Sequence, residues 1–303
     1  MISSRLVGTG RNAKIIAAIG AAFWGVYWIP LRALDEAGIT GGWASLLFFV
    51  GPLVLCLPIA LWRWRLLWRG GPRLLLTGLI GGASMILYND ALIFTEVMRA
   101  MLLYYMTPIW GGLLGYFLLG EPITRVRWAS FGLGFLGLLV ILGTESGVPL
   151  PRNAGDWMAL AAGFIWACFA VRLRKDETIQ AEDLTLSYFL GGTLFGLLAC
   201  VLPISGTGPP PDPLVIVSVL PWLVPALVAI VMTSAFLVIW SGRLLNPGLL
   251  GILFMTEISV GTVSAALFAG EPFGLRETLG VVLITGAGLL DGLWPDRAAR
   301  HGE

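Results

Sequence analysis

Charge is scarce in this 303-residue chain. Asp, Glu, Lys and Arg make up 12% of it, about half the share carried by a soluble domain. So few charges cannot cover a water-facing surface, which excludes a soluble globular fold. Histidine is scarcer still: His301, in the polar tail, stands alone, and it excludes His-based chemistry in the apolar interior. The three cysteines, Cys56, Cys168 and Cys200, lie singly inside apolar runs with no CxxC pair. They read as small apolar residues, and neither disulfides nor a metal site is expected. No phosphate-cradling glycine loop is present, so ATP is not the direct fuel and no cofactor is expected. The arginines fall in short clusters between apolar runs, which argues against a nucleic-acid partner. An intramembrane enzyme would need a nucleophile–base pair or a cluster of carboxylates at one interface, and the chain offers neither.

Apolar residues are abundant, at 57% of the chain, with a mean hydropathy of +0.86. Runs long enough to cross a bilayer recur from end to end, and no polar stretch is long enough for a separate soluble domain. The expected class is an all-α membrane protein whose principal partner is the lipid bilayer. Ten transmembrane spans are expected, over 14–34, 42–62, 73–95, 98–119, 126–144, 155–173, 184–204, 217–241, 247–269 and 274–294. Lys14 leads directly into the first of them without a small-residue cleavage site, so this stretch reads as a helix and not a removed signal peptide. With the N-terminus placed in the cytoplasm, 15 of the 19 Lys and Arg residues fall in inner segments. The positive-inside rule therefore favours ten spans with both termini cytoplasmic.

Gly120-Glu121-Pro122 recurs half a chain later as Gly270-Glu271-Pro272, each time at the end of a long apolar segment. Helices one and six echo each other as well, Ala22-Phe23-Trp24-Gly25 against Phe164-Ile165-Trp166-Ala167. The chain reads as two five-helix repeats, 1–148 and 149–303. Five is odd, so the second copy must run inverted through the membrane. Inverted repeats place a binding site near the midplane between the halves.

The Trp-Gly of helix one (Trp24-Gly25), the Thr-Pro of helix four (Thr107-Pro108) and the two Gly-Glu endings together resemble the drug/metabolite transporter superfamily, in its ten-helix EamA-type members. Length and a Trp/Tyr-rich interior are similar to YddG-type exporters of aromatic amino acids. The resemblance implies a multi-pass bacterial inner-membrane exporter of small metabolites, working by alternating access as a uniporter or by proton-coupled exchange. Another solute, a lipid flippase or an intramembrane enzyme are the alternatives. No obligatory protein partner is evident, and a monomer or weak dimer is expected. The family's usual proline in helix nine is replaced here by Ile258, so the two halves are expected to bend differently.

Intramembrane polar groups are costly and point to function. Glu257 lies about halfway along helix nine, where its charged form needs a cation or proton as company. It is read either as the contact for a substrate amine or as a proton carrier, against a structural alternative of a neutral, hydrogen-bonded Glu. Tyr88, Asn89 and Asp90 form a polar step in helix three, with Ser84 on the face of Tyr88. Tyr88 is the preferred cavity residue, and Asp90 is expected to pair with a helix end or an arginine. Met101, Tyr105 and Pro108 share a stripe of helix four. Pro108 is the expected kink, freeing a carbonyl near Tyr104 for substrate or water. Trp62, Trp64, Trp68, Trp128, Trp157 and Trp294 read as interfacial anchors. Trp24 and Trp166 hold equivalent positions in the two copies and are expected to approach one cavity, with Met255 beside Glu257. Such indole and phenol faces suit flat aromatic or cationic ligands. Glu121 and Glu271 are expected to start the next helix and fix the turn.

Overall fold

The computed structural model describes residues 10–142, 150–176, 179–201, 209–270 and 272–293. Glu271, Trp294 and the division at 148/149 lie outside the described residues. Among the described residues the chain is helical throughout, with no strand. The first half runs α1 (Gly10–Gly25), α2 (Trp28–Glu36), α3 (Gly41–Leu55), α4 (Leu57–Trp62), α5 (Trp64–Phe94), α6 (Val97–Tyr104), α7 (Thr107–Leu119) and α8 (Arg125–Leu142). The second half runs α9 (Ala154–Lys175), α10 (Ala181–Val201), α11 (Pro213–Ala226), a π-helical segment (Leu227–Met232), α12 (Thr233–Gly242), α13 (Pro247–Phe254), α14 (Thr256–Ala269) and α15 (Leu275–Leu293). Among the described residues, eight helical segments are long and apolar enough to cross a membrane. Of the other two expected spans, Gly41–Leu55 is shorter, and Leu275–Leu293 carries Arg276, Glu277 and Asp291.

Polar contacts between helix ends set the topology. Lys14 Nζ donates to the Asp291 carbonyl, so the described chain begins and finishes at one end of the bundle. Arg127, near the start of α8, pairs with Asp291 at 3.0 Å. At the far end of α8, Arg276 Nε donates to the carbonyl of Val140. Helices α8 and α15 are therefore antiparallel, and the turns that precede them stand at opposite ends of the bundle. Each turn is closed by a left-handed glycine, Gly120 (φ 69°) and Gly270 (φ 69°), a conformation that glycine alone adopts without steric penalty.

Two departures from the expected helices matter for the site. The link between spans two and three is not a plain turn: α4 and the first residues of α5 coil there, and the chain turns at Gly71 (φ 54°), before Pro72. Trp62, Trp64 and Trp68 project from this region, and Trp62 and Trp68 are both 83% exposed, as interfacial anchors should be. Helix four is also not one kinked helix. It breaks at Tyr105 and Met106, and Pro108 stands in the first turn of α7, where its missing N–H costs nothing. Helix nine breaks at the equivalent position, at Met255, without a proline. Both first segments have eight residues. The expectation that Ile258 would make the halves bend differently is overturned. Near this break α13 packs closely on α7: a Cβ on Gly251 would sit 2.8 Å from the Pro108 Cα.

Candidate solute-binding cavity

The breaks in helices four and nine leave short helices meeting at mid-bundle, beside the bend of helix one at Val26 and Tyr27. A cavity of about 470 Å³ occupies this place. Trp24, Tyr27 and Trp28 form one wall, Phe48 and Phe49 of α3 another, and Met85, Tyr88 and Asn89 of α5 a third. Met98 and Met101 of α6, Tyr188 and Phe189 of α10, Val231 of the π segment and Glu257, Ile258, Gly261 and Thr262 of α14 also line it. Its rim holds Leu31, Leu142, Pro272 and Glu277. Leu142 ends α8, and Pro272 and Glu277 flank the start of α15, so the cavity reaches the end opposite the start of α1.

The end near the start of α1 is shut. Helices α7 and α13 press backbone to backbone there: a Cβ on Gly248 would meet the Gly112 Cα at 2.9 Å, and one on Gly111 the Pro247 carbonyl oxygen at 2.8 Å. A polar cluster covers this contact. Arg174 pairs with Glu121 at 3.1 Å and also donates to the Arg243 carbonyl. The Asn246 amide donates to the same Glu121 carboxylate, while its oxygen caps α13. Glu121 therefore does not begin the next helix, which starts only at Arg125. It ties the two halves together.

The aromatic wall is ordered. The rings of Trp24 and Tyr27 stack at 5.5 Å with an interplanar angle of 2°, and Tyr27 packs on Phe48 at 4.6 Å. Tyr88 stacks on the buried Tyr104 at 4.2 Å. The Trp28 indole donates to Ser264 Oγ at 2.9 Å, which holds its ring across α14. Glu257 sits in the first turn of α14, where the helix dipole favours negative charge. Its Oε2 is buried and has no hydrogen-bond partner, and the Tyr105 hydroxyl faces its carboxyl group.

Of the residues singled out in the sequence, Trp24, Tyr88, Met101 and Glu257 line the cavity. Tyr105, Trp166 and Met255 do not; all three are buried behind it. Trp166 packs on Phe254 at 5.4 Å, and Phe254 in turn lies 6.1 Å from Trp24. The two equivalent tryptophans thus meet through an intervening ring and not across the cavity. Met255 fills the space left by Gly134, whose added Cβ would stand 2.9 Å from its sulfur. The stripe of Met101, Tyr105 and Pro108 ends at the break. Pro108 is buried against α13. The Tyr104 carbonyl is not left for solute, because it accepts from Thr107 Oγ1. Ser84 is spent on the Ala162 carbonyl. Asp90 forms no ion pair or hydrogen bond among the described residues and does not line the cavity. Tyr27, Phe48, Phe49 and Tyr188 were not singled out in the sequence. Nothing in their local sequence distinguishes them from the many other aromatics in apolar runs.

A family model described as the EamA-like transporter family matches residues 12–143. Protein RarD of Salmonella typhi and Protein RarD of Salmonella typhimurium (strain LT2) are each 28% identical to this chain over 109 residues, 36% of this chain and 34% of theirs. The match thus spans about a third of the length of these relatives. One solved structure shares the fold with a TM-score of 0.73 at 20% identity, covering 96% of this chain and 99% of that one.

Proposed function

We propose that the chain is a multi-pass inner-membrane carrier of small aromatic solutes, a reading supported by the match of residues 12–143 to the EamA-like transporter family. The observation that carries the reading is the aromatic cavity itself, sealed by α7 and α13 at one end and reaching the surface at the other. A cavity closed at one end supports an alternating-access cycle, of which this would be one state. Ten spans in two inverted repeats, with both termini cytoplasmic, would turn the open end outward. The broken helices four and nine would be the elements that re-pack when the cavity opens the other way. Aromatic amino acids and aromatic amines are the candidate substrates, since the walls are indole, phenol and phenyl faces with few polar groups. Glu257 is the candidate for coupling to protons.

The test is uptake into proteoliposomes of labelled tryptophan, phenylalanine and aromatic amines, with and without a pH gradient. Flux above that of protein-free vesicles is expected for at least one of them, and none above that background refutes the carrier reading. A pH gradient that accelerates flux identifies proton exchange. Trp24→Ala, Tyr88→Ala and Glu257→Gln are expected to lower flux while the protein still folds and inserts. Wild-type flux in all three would remove the cavity as the solute site.

A further inference from the structure

The polar chemistry of the cavity wall has one sign. Glu257 stands at its floor and Glu277 at its mouth, and no Lys or Arg is among the described residues that line it. The basic residues nearest this end of the bundle are all placed elsewhere. Arg32 pairs with Glu36 at 3.4 Å, Arg99 is buried against Asp156, and Arg276 donates to the Val140 carbonyl at 2.8 Å. Arg152 is exposed and outside the lining. The connecting stretches 143–149 and 202–208 contain neither Lys nor Arg in their sequence.

This decides between the two aromatic substrate classes. An aromatic amino acid would bring an ammonium that matches Glu257 and a carboxylate that matches nothing charged. Burying that carboxylate among aromatic rings, with only neutral donors such as the Asn89 amide in reach, leaves it without compensation. An aromatic amine lacks that group. Its ring and positive charge would meet the aromatic faces of Trp24, Tyr27 and Tyr88 that line the cavity, and its N–H groups the carboxylate whose Oε2 has no partner. We propose that the cavity takes aromatic amines, singly cationic and free of any carboxylate, with Glu257 as their counter-charge. The proposal rests on the aromatic-cavity reading above and narrows it.

The test uses four probes with one ring system and different charge: tryptamine, tryptophan, indole-3-propionate and 3-methylindole. Each is titrated by calorimetry into the purified full-length protein in lipid nanodiscs. Tryptamine is expected to bind at least about tenfold more tightly than tryptophan, and indole-3-propionate to bind more weakly than 3-methylindole. Glu257→Gln is expected to bring tryptamine to within about twofold of 3-methylindole while 3-methylindole binding is retained, which also certifies that the variant is folded. If the variant fails to fold, the four probes on the wild-type protein carry the test alone. Tryptophan or indole-3-propionate binding as tightly as tryptamine overturns the selection by charge and leaves the aromatic cavity standing. Absence of binding by all four overturns both.

Discussion

Gly25 is the point where helix one touches the segment that presents Glu257, and adding one methyl there tests the whole arrangement. A Cβ on Gly25 would stand 2.6 Å from the Glu257 carbonyl oxygen, 2.8 Å from Val260 Cβ and 3.0 Å from the Gly261 nitrogen. Carbon–oxygen contacts between packed helices settle at about 3.3–3.6 Å, so Gly25→Ala must push α1 and α14 apart by roughly 0.7–1 Å. The atoms in the way are backbone and cannot swing aside. Overpacking of this kind costs about 1–3 kcal/mol. Any gain in helix propensity is small, because Gly25 is the last residue of α1. The same shift separates Trp24 from Glu257, so tryptamine affinity is expected to fall by at least about fivefold, near 1 kcal/mol. Gly132→Ala is the control: it lies within α8 and an added Cβ meets nothing within 4 Å, so it should be neutral or stabilising by up to about 1 kcal/mol. Thermal unfolding of the detergent-solubilised proteins reads stability, and calorimetry reads affinity. If Gly25→Ala melts and binds like wild type, the close crossing of α1 over α14 does not set the site.

Asp156 is fully buried and receives bonds from Arg99, Thr95 and the Arg152 amide. Asp156→Ala should destabilise by about 3 kcal/mol in thermal or denaturant unfolding, because it strands the Arg99 charge; Arg99→Met with Asp156→Leu should recover most of the loss. Equal stability of the two forms would show that the pair is not desolvated. Glu121→Ala removes the carboxylate shared by Arg174 and Asn246. It should raise thiol labelling of a Thr107→Cys probe from the end that carries the start of α1, in a background lacking the three native cysteines. Unchanged labelling would assign closure of that end to the glycine contacts alone.

Membrane residence and most of the long apolar helices were legible because each depends on composition along the chain. Twenty apolar residues must lie in lipid whatever they pack against, and a lone carboxylate in such a run is conspicuous for the same reason. The repeated Gly-Glu was legible too, since each turn needs a left-handed glycine. The ion pairs Arg99–Asp156, Arg63–Asp183 and Arg127–Asp291 were not. Their partners are far apart in the chain, and loop-charge counting treats each arginine as a label of side and not as a contact.

What the sequence determined by itself was that long apolar helical segments recur along the chain and which polar residues fall within them. Only the tertiary structure decided which way each helix faces. A helix that is apolar all round has no stripe to announce its inner side, so Trp24 and Trp166 look alike in sequence. Their rotation is set by where glycines let backbones meet: Gly25 on Glu257 turns Trp24 toward the cavity, and Gly163 on the Tyr104 carbonyl holds α9, with Trp166, behind it. The break in helix nine at Met255 was likewise invisible in the sequence, because no proline marks it.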